Sequence, residues 1–265
     1  MRDGDVTYDD WQLLLKRTPQ NANNAHDFSE AVRLFYTKDE VAKYNLDKLY
    51  ALGSPVAQIN AVHSSPLAAS TTPDNANGLH PVIFLAENAQ VLLTANLWTE
   101  VGLCNGAPGT VYQILFSEGQ APPDLPIAVL VDFTNYTGPK FLNNRPKCVP
   151  IPPLLAEWTS GGKHLSRQQL PLQLRFAITI HKSQGQTLNK AVIDIGKAEL
   201  AAGCTFVATS RLRRLDDGIF QPMPFERSKS ISQGCNLQAR VKEENRLHLL
   251  SVETAKRYSQ SQLPS

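Results

Sequence analysis

Apolar positions change period along the chain, and the changes mark out its elements. A short amphipathic piece around Trp11 to Leu15 precedes the polar stretch Pro19-Gln20-Asn21-Ala22-Asn23-Asn24, so residues 1–27 read as an N-terminal helix and loop. An apolar and aromatic run from Glu30 to Tyr36 reads as a strand. Asp39 to Leu52 then places Val41, Tyr44, Leu46 and Leu49 near helical spacing. A second apolar run, Val56 to His63, is followed by Ser64 to Gly78. That stretch is rich in Ser, Thr, Pro and Asn and too poor in apolar residues to fold alone, which predicts a loop and a boundary.

Beyond this point the period shortens. β-type runs at Ala89–Thr94, Thr110–Phe116 and Ile127–Phe133 are separated by Asn105-Gly106, Pro108-Gly109, a Pro-rich piece at Pro122–Pro126 and Thr137-Gly138-Pro139. Several short strands with turn signals predict a small antiparallel barrel over 79–158. After a flexible linker at Thr159–Lys163, α/β patterning returns. Leu172–Ile180 reads as one strand, Ala191–Ile195 as a buried strand, and Glu199–Arg211 as a helix or loop-helix. The expected fold class is α/β with a parallel sheet, built from 28–64 and 165–258 and interrupted by the barrel. Val241 to Tyr258 interleaves apolar and charged residues as an amphipathic surface helix does, leaving 259–265 as a frayed tail.

Composition narrows the picture only a little. A 42% hydrophobic content in 265 residues suffices for an ordinary core, and a formal net charge of +2 leaves the partner open, since a nucleic-acid channel needs only a local cluster of Lys and Arg. No stretch approaches a membrane span and the acidic N-terminus does not read as a signal peptide, so a soluble intracellular protein with no membrane partner is expected. Cys104, Cys148, Cys204 and Cys235 form no C-x-x-C pair, and the histidines show no metal-ligand spacing, which predicts free thiols and no metal site.

The densest chemistry lies in Ala177-Ile-Thr-Ile-His-Lys-Ser-Gln-Gly-Gln-Thr187. An apolar β-type run ends abruptly in hydrogen-bonding side chains and a glycine, and the carboxyl end of a strand is where α/β sheets bind ligands. A strand followed by a solvated turn fits the residues equally well. Downstream, Gly203-Cys-Thr-Phe-Val-Ala-Thr-Ser-Arg211-Leu-Arg213 carries, 26 residues after Gly185, a permanently charged, planar guanidinium, a group suited to phosphate. As an isolated string it reads as a solvated basic face.

The first string resembles motif V of the Pif/RecD-type superfamily-one DNA helicases, and the second is similar to their motif VI, with Cys204, Phe206 and Thr209 where Gln, Tyr and Leu are usual. Arg33-Leu-Phe-Tyr-Thr-Lys-Asp-Glu-Val-Ala-Lys-Tyr-Asn45 resembles motif IV. Ala89–Asn96 with Gly102–Val111 looks like the inserted SH3-like barrel of that family, although Glu87-Asn88 stand where a glycine is usual. The resemblance implies a RecA-like second motor domain with Arg211 as arginine finger, Gly185, Gln186 and Thr187 beside the nucleotide, and Thr179, His181, Lys182 and Ser183 toward single-stranded DNA or coupling the two sites. It also implies ATP and Mg2+ as cofactors, 5′-to-3′ translocation, a setting in DNA repair or recombination, and a location in nucleus or mitochondrion if eukaryotic or cytoplasm if bacterial.

The sequence holds no G-x-x-x-x-G-K-[ST] loop. Gly161-Gly162-Lys163-His164 lacks the first Gly and the magnesium-holding hydroxyl, and Ala128–Asp132 imitates a Walker B strand but carries Phe133 in place of the second acid. The resemblance thus covers the second half of a helicase, roughly Val32 to Phe220. The chain is expected not to hydrolyse ATP unaided and to need an N-terminal motor domain in cis or in trans. The other readings are a non-hydrolysing single-strand-binding or adaptor module and an inactive truncated fragment.

Overall fold

The computed structural model describes residues 7–196, 203–222, 224–225 and 235–260. In chain order they form α1 (Tyr8–Leu15), β1 (Val32–Phe35), α2 (Lys38–Ala51), β2 (Ala57–Asn60), β3 (Val62–His63), α3 (Pro66–Ser70), β4 (Val82–Leu85), β5 (Gln90–Leu93), β6 (Pro108–Leu115) and β7 (Ala128–Phe133). There follow β8 (Cys148–Ile151), β9 (Leu154–Ser160), β10 (Lys163–Gln169), β11 (Leu172–Leu174), β12 (Ala177–Thr179), β13 (Ala191–Asp194), α4 (Cys204–Thr209), β14 (Gly218–Gln221) and α5 (Cys235–Gln260). Two compact units result, one of Met1–Val41 with Ile178–Ser265 and one of Ala42–Ala177.

The first unit is built on a four-stranded sheet in the order β12-β1-β13-β14. Its inner strands are parallel, with Val32 opposite Ala191 and Ala191 opposite Gly218. Leu34, Ile178, Ala191, Ile193 and Ile219 are buried, the near-continuous apolar character that a parallel sheet covered on both faces requires. The N-terminal segment is tied to this sheet rather than standing apart. Arg17 Nε and Nη2 donate to Gly218 O at 3.0 Å and Asp216 O at 2.6 Å, and Phe220 N donates to Arg17 O at 2.8 Å. Thr7 opens α1 as a reciprocal capping box with Asp10.

The second unit holds a five-stranded antiparallel sheet, β11-β5-β6-β7-β8, a three-stranded sheet, β3-β10-β9, and the pair β2-β4. One core serves the five-stranded sheet and the β2-β4 pair, filled by Ile59, Leu85, Val91, Leu93, Val131 and Phe133 among others. The three β-type runs read from the sequence correspond to β5, β6 and β7. Asn88 holds a φ of 68°, so an Asn supplies the left-handed conformation at the entry turn that a glycine would otherwise provide.

Several expectations are corrected. Residues 42–64 and 165–177 belong to the second unit rather than to the parallel sheet's unit. Leu172–Ile180 is not one strand, because β11 pairs with β5 whereas β12 joins the parallel sheet. The break is held by the buried Asn45 amide, whose Oδ1 accepts from Ala177 N at 2.7 Å while Nδ2 donates to Ala177 O at 3.1 Å. Thr159–Lys163 is no linker; Ser160 pairs with Lys163, and Gly161 and Gly162 take φ of 57° and 73° in the tight hairpin turn between β9 and β10.

The presumed loop Ser64–Gly78 contains α3, capped by Ser65, and is fastened to β10 by Arg167, which is 0% exposed. Arg167 donates to the carbonyls of Leu79, Ala68 and Thr71 at 2.7, 2.7 and 2.6 Å. Residues 197–202, where the predicted Glu199–Arg211 helix begins, and the tail beyond Gln260 lie outside the described residues; the described part of that helix is α4. The amphipathic surface helix corresponds to α5. Among the described residues no helix is long and apolar enough to cross a membrane.

Candidate nucleotide-facing site

Three segments meet at the carboxyl end of the first unit's sheet. The first is the end of β1, where Thr37 caps α2 reciprocally with Glu40; Thr37 N donates to Glu40 Oε2 and Glu40 N to Thr37 Oγ1, both at 3.2 Å. The second is the turn after β12, in which His181–Ser183 form one 3₁₀ turn. The third is α4 with Arg211 following it.

The turn after β12 is held from within. Thr179 Oγ1 accepts from Lys182 N at 3.2 Å, and Ser183 Oγ donates to Ile180 O at 2.7 Å. Thr179 is 8% and Ser183 0% exposed, so neither side chain reaches the surface, and a direct contact of either with DNA is not supported. His181, Lys182, Gly185 and Thr187 are exposed and Gln186 is half-buried. Gly185 has a φ of 80° with nothing within 4 Å of where a Cβ would stand, so its role is the left-handed backbone and the space beside it is open. Gln186 Nε2 donates back to Lys182 O at 2.8 Å.

Arg211 spans from α4 to this turn. Its Nε donates to Val207 O at 3.0 Å, Nη2 to Ser210 Oγ at 2.9 Å, and Nη1 to Gln186 O at 3.4 Å. The backbone follows suit, with Leu188 N donating to Arg211 O at 2.9 Å and a parallel bridge between Leu188 and Leu212. The two strings of polar residues picked out in the sequence are therefore one structure.

Two contacts had no signal in the pattern. The buried hydroxyls of Tyr36 and Thr205 share a 2.8 Å hydrogen bond, joining β1 to α4, and Cys204 Sγ lies 3.8 Å from His181 Nε2. Asp194 ends β13 with Oδ1 accepting from Gly196 N at 3.0 Å, and burial raises its carboxyl above the usual carboxylate range. Among the described residues no group of three His, Cys, Asp or Glu side chains is placed to hold a metal ion.

A parallel sheet with polar turns at its carboxyl end, and a basic side chain joining α4 to one of them, defines an α/β domain built to bind a ligand at its strand ends. No protein-family model matches the chain. It is 38% identical over 188 residues to the mouse ATP-dependent DNA helicase PIF1, covering 70% of this chain and 26% of that one. It is 36% identical over 223 residues to the zebrafish PIF1, covering 82% and 31%. Among solved structures, Pif1 helicase from Candida albicans superposes with a TM-score of 0.64 at 23% identity, covering 92% of this chain and 55% of that one. A Pif1 structure titled for DNA unwinding at forked duplexes by two coordinating helicases gives 0.61 at 24% identity. The chain belongs, over the stretch it matches, to the Pif1-type DNA helicases, and it spans about a quarter to a third of the length of these curated relatives.

Proposed function

We propose that this chain supplies the second motor domain of an ATP-dependent, 5′-to-3′ DNA helicase, with ATP and Mg2+ held mainly by an N-terminal phosphate-loop domain in cis or in trans. In this reading Gly185, Gln186 and Thr187 border the nucleotide, and Arg211 reaches the γ-phosphate across the cleft between the two motor domains. His181 and Lys182 face the DNA backbone, while Thr179 and Ser183 act one step back, fixing the turn that carries them. The antiparallel unit is the SH3-like barrel inserted into such domains.

The observation that carries this reading is the bond from Arg211 Nη1 to Gln186 O, because it places the candidate finger on the segment expected to flank the nucleotide. A guanidinium has five N–H donors. The three contacts seen leave two by count for a phosphate oxygen, where developing charge is worth most to neutralise. Contacts to the DNA backbone from a Lys and a His are sequence-independent and weaken with salt.

The test is a reconstitution. The chain is mixed with a phosphate-loop domain from a Pif1-type helicase, and ATP turnover is followed with and without single-stranded DNA. DNA-stimulated turnover that appears only in the mixture is the expected result. Salt-sensitive DNA binding without turnover in any mixture would favour the non-hydrolysing module, and neither binding nor turnover would overturn both readings.

A further inference from the structure

The two buried hydroxyls that join β1 to α4 lie where the three segments of the site converge. Phe35 O accepts from Ile180 N at 2.9 Å, tying the end of β1 to the turn after β12, and Thr37 caps α2. Tyr36 stands between them. It is 8% exposed and shares its 2.8 Å hydrogen bond with Thr205, which is 1% exposed and lies in the first turn of α4. That helix has little to hold it by itself. It has six residues, too few for stability alone, and its N-cap Gly203 offers no side chain to the open N–H groups. Tertiary contacts must therefore place it.

Two ties fix its axis. Leu188 N donates to Arg211 O at the far end, and the hydroxyl pair holds the near end. The guanidinium of Arg211 folds back along the helix, with Nε on Val207 O, so it moves with α4 rather than with the far-end tie. We propose that Tyr36 and Thr205 are positioning residues for Arg211, their hydroxyl pair setting the tilt of α4 and with it the reach of the guanidinium; the proposal rests on the motor reading above. Val207 precedes Arg211 by four residues, about 6 Å of helix axis. A swing of about 10° around the far end thus displaces the guanidinium by about 1 Å, and a misplacement of that size can cost on the order of 10²-fold in rate. The Tyr36 ring is packing that a Phe would reproduce, whereas its hydroxyl supplies the one directional contact in the pair.

The test is steady-state ATP turnover of the reconstituted motor with single-stranded DNA, on variants whose melting curves show them folded. Tyr36→Phe removes one oxygen and should lower kcat about tenfold to a hundredfold with KM for ATP nearly unchanged. Thr205→Val should do the same, and the double variant should be no worse than either single one. Thr205→Ser, which keeps a hydroxyl, should restore turnover. On the residual turnover of Arg211→Ala, Tyr36→Phe should have no further effect, because the group it positions is gone. An equal loss in that background shows a general weakening of the fold and overturns the proposal. So does failure of Thr205→Ser to restore turnover, or a Tyr36→Phe kcat within about twofold of wild type. A wild-type mixture without turnover sinks the motor reading instead, and this inference with it.

Discussion

Two arginines in different units spend the same donor set in opposite ways. Arg167 is fully buried in the second unit, and its donors go to the carbonyls of Ala68, Thr71 and Leu79, with Nε 3.4 Å from His63 Nδ1. Arg211 is half-exposed, and its longest bond, 3.4 Å to Gln186 O, points at the turn over open space. None of these bonds goes to a carboxylate. What separates the two is thus how much solvent remains around the fork, none for Arg167 and some for Arg211, and not the identity of their partners.

The largest effect expected from this contrast is kinetic. In a reconstituted motor, Arg211→Ala should lower ATP turnover on the order of 10³-fold or more while changing the melting temperature little, and Lys at the same position should not restore it, because an ammonium cannot reproduce the planar fork. Steady-state turnover with DNA present decides this, and turnover within about tenfold of wild type would break the assignment. The converse holds for Arg167→Met. It strands buried carbonyls at about 1–3 kcal/mol each, so denaturant unfolding should show a loss of about 4 kcal/mol, reduced where water reaches the freed groups. A loss comparable to that of Arg211→Ala would erase the distinction.

The legible part of the molecule was the part with local causes. The alternation behind β5, β6 and β7, the apolar run of β13, and the string Ile180–Thr187 all write their conformation in consecutive residues. Ser64–Gly78 is ordered despite its loop-like composition because Arg167, about a hundred positions later, fastens it, and no window of composition registers a donor so far away. The break between β11 and β12 was missed for the same reason, since Asn45 imposes it from α2. Within the site, the pairing of Gly185–Thr187 with Arg211 followed from resemblance, whereas the burial of Thr179 and Ser183 did not, because hydroxyls in such strings are equally at home capping a turn.

A smaller effect sharpens the reading of the turn itself. Gly185→Ala meets no neighbouring atom, so its whole cost is the left-handed backbone, about 1–2 kcal/mol. The turn can avoid that cost by changing conformation. Nucleotide affinity of the reconstituted motor should then fall while chemical denaturation shows a loss no larger than about 2 kcal/mol. An unchanged affinity with the full stability loss would assign Gly185 to folding alone.

The smallest effect tests whether Arg167 is as confined as its bonds suggest. Burial, and then the Arg167 charge, hold the His63 pKa below the ordinary value of about 6.5. The folded chain thus binds fewer protons at this site than the unfolded chain between the two values, and stability must fall as pH drops through that interval. Above pH about 6.5 the contribution is complete, because both states are neutral there. Protonation at Nδ1 would also set two donors face to face across the 3.4 Å contact. His63→Gln keeps an acceptor for Arg167 Nε but cannot titrate, so its melting temperature should decline less than that of the wild type between pH 7 and pH 5 while the two coincide more closely above neutrality. Parallel declines would show that Arg167 has room to move away from a charged neighbour, and would make it resemble Arg211 more than its burial implies.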